Sequence, residues 1–111
     1  MPSVKKNIVN EKRYLILLDI DTRKRHQHVS EHGKIVEFMV QLEIKCGAVW
    51  KEVLRYDCAH GYAHKDCYNV AAKCRKMNMV LDYEEALALA DDDINENWAL
   101  YRDRFLRGDF P

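Results

Sequence analysis

No excess of charge of one sign marks this chain: Lys plus Arg and Asp plus Glu number 18 each, for a formal net charge of zero. A protein that binds nucleic acid in bulk is usually clearly basic, because phosphate contacts supply most of its affinity. Any contact with RNA or DNA must therefore come from a local patch. No run of about 20 apolar residues is present, so no membrane span is expected. The start, Met1 to Asn7, has no long apolar stretch behind it, so the expectation is no secretion signal and a cytoplasmic location. The four cysteines, at 46, 58, 67 and 74, form no Cys-x-x-Cys pair. That excludes a ribbon or finger spacing, and structural disulfides are not expected in a reducing compartment. There is no internal repeat and no low-complexity tract.

What is present fits one small domain. The chain has 111 residues and 48% apolar residues, enough for a modest core. Residues 1–11 are polar and expected to fray, leaving 12–111 as a single α+β domain. Residues 13–20 are rich in β-formers, with Tyr14, Ile16, Leu18 and Ile20 on one face by period two. From Asp21 to Gly33 the chain is too polar for a core element. Its Arg23-Lys24-Arg25-His26-Gln27-His28 stretch is expected as an exposed loop. Residues 35–45 alternate clearly through Val36, Phe38, Val40, Leu42 and Ile44. A short turn follows at 46–48, and 49–57 alternate again, which implies an antiparallel hairpin. Residues 74–81 offer one more strand.

The helix is the firmest element. Asp82 is placed to cap it, with Glu85 three residues on, and Gly108 stops it. Leu87, Ile94, Trp98, Tyr101 and Phe105 form one apolar stripe expected in the core. Asp91-Asp92-Asp93 reads as a solvated face, since successive helix residues diverge too far to meet one ion. The whole is an antiparallel sheet of three to four strands with one long C-terminal helix on a face. The helix, about 36 Å long at 1.5 Å per residue, outruns so small a sheet. That overhang and the zero net charge lead us to expect a homodimer or a bound partner.

Chemistry concentrates in residues 55–68. These fourteen positions hold two His, two Cys, two Asp, an Arg, a Lys and three Tyr. His60 and His64 change charge near neutral pH and suit proton transfer. Arg55 suits a developing phosphate charge, with Lys65 beside it. Asp57 or Asp66 suits holding an imidazole in place. Tyr62 and Tyr68 offer faces for base stacking. Two histidines and a cation are sufficient to cleave RNA, because the 2′-hydroxyl is an internal nucleophile. The bland alternative is a set of exposed loop histidines with an Arg55–Asp57 pair. Cys58, His60, His64 and Cys67 also form a compact candidate zinc set. Their spacing leaves no element to fold between ligand pairs, and buried thiols are the commoner fate. No metal and no cofactor is expected.

The segment Arg55-Tyr56-Asp57-x-Ala59-His60-Gly61-Tyr62-x-His64-x-Asp66, with the later Asp91-Asp92-Asp93-Ile94-x-x-Asn97-Trp98, resembles a family of small uncharacterised bacterial and archaeal proteins. More distantly, the motif is similar to the TumE-like toxins of toxin–antitoxin pairs. That resemblance implies RNA cleavage, an antitoxin-like protein partner, and Arg55, Asp57, His60 and His64 at matching positions. The alternative is a non-enzymatic interaction domain whose His/Asp/Cys loop is structural.

Overall fold

A computed structural model describes residues 8–111. Six strands come first: β1 (Val9–Asp19), β2 (Thr22–Glu31), β3 (Lys34–Cys46), β4 (Val49–Asp57), β5 (His64–Tyr68) and β6 (Cys74–Asn78). One helix, α1 (Tyr83–Leu106), ends the chain. Each strand pairs antiparallel with the next, so the sheet order is β1-β2-β3-β4-β5-β6. The α+β architecture with one C-terminal helix is as expected, but the sheet has six strands rather than three to four. The expectation for residues 1–7 lies outside the described residues, and Val9–Glu11 belong to β1 rather than to a frayed end.

The segment expected as a loop, residues 21–33, is chiefly β2. Its helix-facing residues are Thr22, Lys24 and His26, all buried. The strand was hidden because its inward positions are polar. The Lys24 ammonium donates to Asp91 Oδ1 at 3.1 Å and to Asn95 Oδ1 at 2.9 Å, both on α1. His26 Nδ1 lies 3.1 Å from the same Asp91 oxygen, and Tyr14 of β1 stacks on the His26 ring at 4.4 Å. A two-residue turn at His32-Gly33 closes β2 onto β3. Both residues have positive φ, 51° and 78°, as a hairpin turn matching the strand twist requires.

The core lies between β3, β4 and α1. Phe38, Val40, Leu42 and Ile44 of β3 and Leu54 and Tyr56 of β4 meet Ala86, Ala90, Ile94, Tyr101 and Phe105 of α1. Of the expected stripe, Ile94, Tyr101 and Phe105 are buried. Leu87 and Trp98 are half-buried at its margin, where the Arg102 guanidinium lies 5.1 Å from the Trp98 ring. Ala86 and Ala90 complete the face, and their small side chains let the helix sit close to the sheet. Ala90→Leu is therefore expected to destabilise by about 1–3 kcal/mol through overpacking, read from the urea midpoint. An unchanged midpoint would show the contact to be loose.

The helix ends follow the expected chemistry. Asp82 accepts from the Glu85 N–H at 2.8 Å. At the other end Gly108, φ 85°, closes the last turn with the Asp109 N–H donating to Arg104 O at 2.9 Å. Of the Asp91–Asp93 run, expected as a solvated face, only Asp92 is exposed. Asp91 reaches β2, as above. Asp93 accepts from the Tyr56 hydroxyl, from Tyr101 at 2.5 Å and from Asn97 at 2.9 Å. Burial and Asp93 together push both phenols well above the usual tyrosine range. Among the described residues, no helix is long and apolar enough to cross a membrane.

Candidate functional site

The sheet face turned away from α1 carries a continuous polar network. Strand alternation places Arg23 and Arg25 of β2, Gln41 and Glu43 of β3, Arg55 and Asp57 of β4, and His64 and Asp66 of β5 on it. Glu43 accepts from Arg23 Nε at 2.6 Å and Arg25 Nε at 2.9 Å, and from the Gln41 amide. Gln41 Oε1 in turn accepts from Arg55 Nε at 2.7 Å, and Arg55 Nη2 reaches Glu52 at 2.8 Å.

Burial pushes the Glu43 carboxyl up, but hydrogen bonds from Arg25, Arg23 and Gln41 outweigh it and hold the group below the usual range. A carboxyl depressed in the folded state stabilises fully above its unfolded value, about 4.3 for Glu, and loses that contribution as pH falls through the folded value. The urea midpoint is therefore expected to drop as pH falls below about 4.3. Glu43→Gln should flatten part of that decline. A variant as acid-sensitive as the parent would contradict this role.

At the end of this network stands His64, buried, with Nε2 2.6 Å from Asp57 Oδ1 and 3.7 Å from Asp66 Oδ2. The Asp57 contact is close but does not have hydrogen-bond geometry. Asp57 Oδ1 and Asp66 Oδ1 are buried oxygens that accept no hydrogen bond from the protein. Buried acceptors are nearly always satisfied, so two together are unusual and mark the spot. Arg55 Nη1 lies 3.9 Å from Asp57. Its guanidinium is thus committed to Gln41, Glu52 and Asp57, which makes it a brace for the carboxylates rather than a free cation.

The link from β4 to β5, residues 58–63, folds back over His64. His60 is exposed, and its ring stacks on that of His64 at 5.5 Å with 27° between planes. Tyr62 is exposed and lies 5.6 Å from His64 and 6.4 Å from His60. Gly61, φ 86°, makes the turn that brings the two rings together.

These rings line an open pocket of about 260 Å³ with Lys76 and Asn78. Both of those come from β6, where the register sets Asn78 opposite His64 and Lys76 opposite Asp66. Neither was singled out from the sequence: β6 is exposed throughout and shows no alternation to notice. A groove of about 640 Å³, floored by Gly61, Tyr62, Ala63 and Tyr83, adjoins the pocket and shares Tyr62 with it.

Of the residues singled out in the sequence, Arg55, Asp57, His60, Tyr62, His64 and Asp66 come together here. His64 is buried, whereas His60 is exposed. Lys65 does not share the site. It projects from the helix side of β5, with Nζ 3.6 Å from Asp93 and over the Tyr56 ring. Tyr68 is half-buried against the core and does not line the pocket. The four zinc candidates do not converge. Cys67 pairs in register with Leu54 on the helix side, while Cys58 packs its sulfur 3.4 Å from the Phe38 N–H. Burial pushes both thiols up, away from the thiolate a metal needs. Among the described residues, no group of three or more His, Cys, Asp or Glu side chains is disposed to hold a metal ion.

The fold and the site define a small α+β protein with a histidine-lined pocket on an open sheet face, backed by the buried Asp57 and Asp66 beside His64. The chain belongs to a family described as a domain of unknown function, DUF7718, whose match spans residues 9–111 and so takes in β1 and β2 as well as the His/Asp segment. No curated protein and no solved structure matches it.

Proposed function

We propose that this pocket binds single-stranded RNA and cleaves it by histidine acid–base chemistry, as a toxin-like nuclease would. The observation that carries the reading is the His60–His64 pair, rings 5.5 Å apart in one pocket with Lys76. One ring takes the proton of a 2′-hydroxyl, whose oxygen forms a bond to phosphorus. The P–O5′ bond breaks, and the other ring gives its proton to the leaving 5′-oxygen. The products are a 2′,3′-cyclic phosphate and a free 5′-hydroxyl. Lys76 supplies the local positive charge that the neutral chain as a whole does not. Asp57 and Asp66 keep the His64 ring in place.

Pocket size favours a polymer. At about 260 Å³ it is smaller than the usual small-molecule site. It suits one phosphate and its neighbours in a longer strand, which then runs along the adjoining groove past Tyr62. An exposed tyrosine at that junction is a stacking surface for a base.

The experiment is incubation of the purified protein with a single-stranded RNA and analysis of the termini formed. Cyclic phosphate and 5′-hydroxyl ends, lost in the His60→Ala protein, are expected. Intact RNA, or cleavage equal in the parent and the variant, would overturn the proposal.

A further inference from the structure

Strand β1 is a sheet edge, and it differs from the opposite edge. β6 is five residues long and carries Arg75 and Lys76, the kind of short, charged edge that resists pairing. β1 runs eleven residues and has no charge from Tyr14 to Leu18. Leu15 is 50% and Leu17 71% exposed on one face, and Tyr14 and Ile16 stand open on the other. Among the described residues the helix packs mainly on β3 and β4 and meets β1 at its end, where Arg102 donates to Asp19 at 3.2 Å. A long, flat, apolar edge is a template for another strand.

We propose that β1 is the interface between two copies of this chain, paired antiparallel about Leu15, so that two six-stranded sheets continue as one. The side chains of β1 complement themselves in this register. Leu15 meets Leu15 of the second copy, and Tyr14 meets Ile16 on the other face. The charges at the two ends then fall into place because β1 is bulged. Leu17 pairs with Arg23 but Asp19 pairs with Thr22, so the register shifts between them. Ile16 opposes Lys24, and Thr22 and Lys24 share a face; the shift therefore puts Asp19 on the face of Ile16. Lys12, opposite His28, is on that face as well. Pairing about Leu15 thus sets Lys12 of each copy opposite Asp19 of the other, where it joins the pair that Asp19 already makes with Arg102 of its own helix at 3.2 Å. Opposite charges flank an apolar centre at both ends, an arrangement that stabilises cross-strand pairs. The zero net charge leaves no long-range repulsion to oppose association. The symmetry is closed, so pairing stops at two copies.

The test is the mass in solution of the full chain at tens of micromolar, by light scattering or sedimentation. A dimer is expected. Leu15→Glu sets two carboxylates against each other at the axis and should give a monomer with an unchanged circular dichroism spectrum. Lys12→Glu should weaken the dimer. Residues opposed across antiparallel strands have Cα atoms about 4.5–5.5 Å apart, within disulfide reach. In a Cys46→Ser, Cys74→Ser background, Leu15→Cys should therefore cross-link to a covalent dimer on mild oxidation, and Ile20→Cys should not. A monomeric parent, a parent that pairs only with a different protein, or a dimer that survives Leu15→Glu would each overturn the proposal.

Discussion

His60→Ala is expected to lower cleavage of single-stranded RNA by about 10²–10⁴-fold, the usual range for a positioned proton-transfer group. His60 is exposed at the pocket mouth and makes no hydrogen bond that the fold depends on, so the variant should keep its urea midpoint. His64→Ala should cost as much in rate, but it also strips the buried Asp57 and Asp66 of their neighbour, so a lower midpoint is expected too. Asp57 lies 2.6 Å from His64 and does not line the pocket, so in the proposed mechanism it is a positioning residue. Asp57→Asn should reduce the rate less than His64→Ala and change the shape of the pH–rate profile, which a merely structural aspartate would leave alone. Arg55 separates two accounts of the site. As a brace tied to Gln41 and Glu52, its replacement should act through stability. Lys76→Ala, by contrast, should weaken RNA binding and steepen with salt less than the parent, since one phosphate contact is gone. Equal rates for parent and His60→Ala would remove the catalytic reading.

Asp91→Ala is expected to destabilise the protein by about 3 kcal/mol. Removing one partner of a buried ion pair typically costs about 3–5 kcal/mol, because the other charge stays behind. Lys24 is 3% exposed, with Asn95 as its one remaining partner on α1. The lower end of the range applies because the Asp91 side chain keeps 27% of its surface in solvent. The control is the double variant Lys24→Met, Asp91→Leu. Exchanging both members for apolar residues of similar volume is often neutral or stabilising, so the double variant should be more stable than Asp91→Ala alone. If Asp91→Ala unfolds at the parental urea concentration, the link from β2 to the helix contributes nothing.

That link also shows where the sequence was legible. Alternation in residues 35–45 and 49–57 was visible because the inward residues there are Phe, Val, Leu and Ile, and the helix declared itself by its Asp82 cap and its 3.6-residue spacing. β2 has the same period of two, but its inward residues are Thr22, Lys24 and His26. Their partners are Asp91, Asn95 and Arg102, 65 to 80 positions away, and nothing local announces it. The Asp91–Asp93 run was misjudged for the matching reason. Its partners lie on strands whose face was not yet known. At the site, the residues dense in one segment, His60 to Asp66, were legible. Lys76 and Asn78 were not, because only the β5–β6 register carries them to the pocket, and Lys65 was misplaced by being treated as loop when it alternates on a strand.

The strand order has a consequence for how the chain reaches this structure. Every strand joins the one just made, through links of two to six residues. Loop closure for each hairpin is short, and its entropic cost is small. A sheet wired in this way asks for only local closures, since each strand's template is its neighbour in sequence. The one long-range event is the arrival of α1 on β3 and β4, and it comes from the last segment of the chain. Without the helix Lys24 lacks Asp91 and Asn95, and His26 keeps only its sheet partners, the Tyr14 ring stacked on it and His28. Only the docked helix turns β2 from a hydrated ribbon into part of the interior, so the final quarter of the chain completes an element written near its beginning.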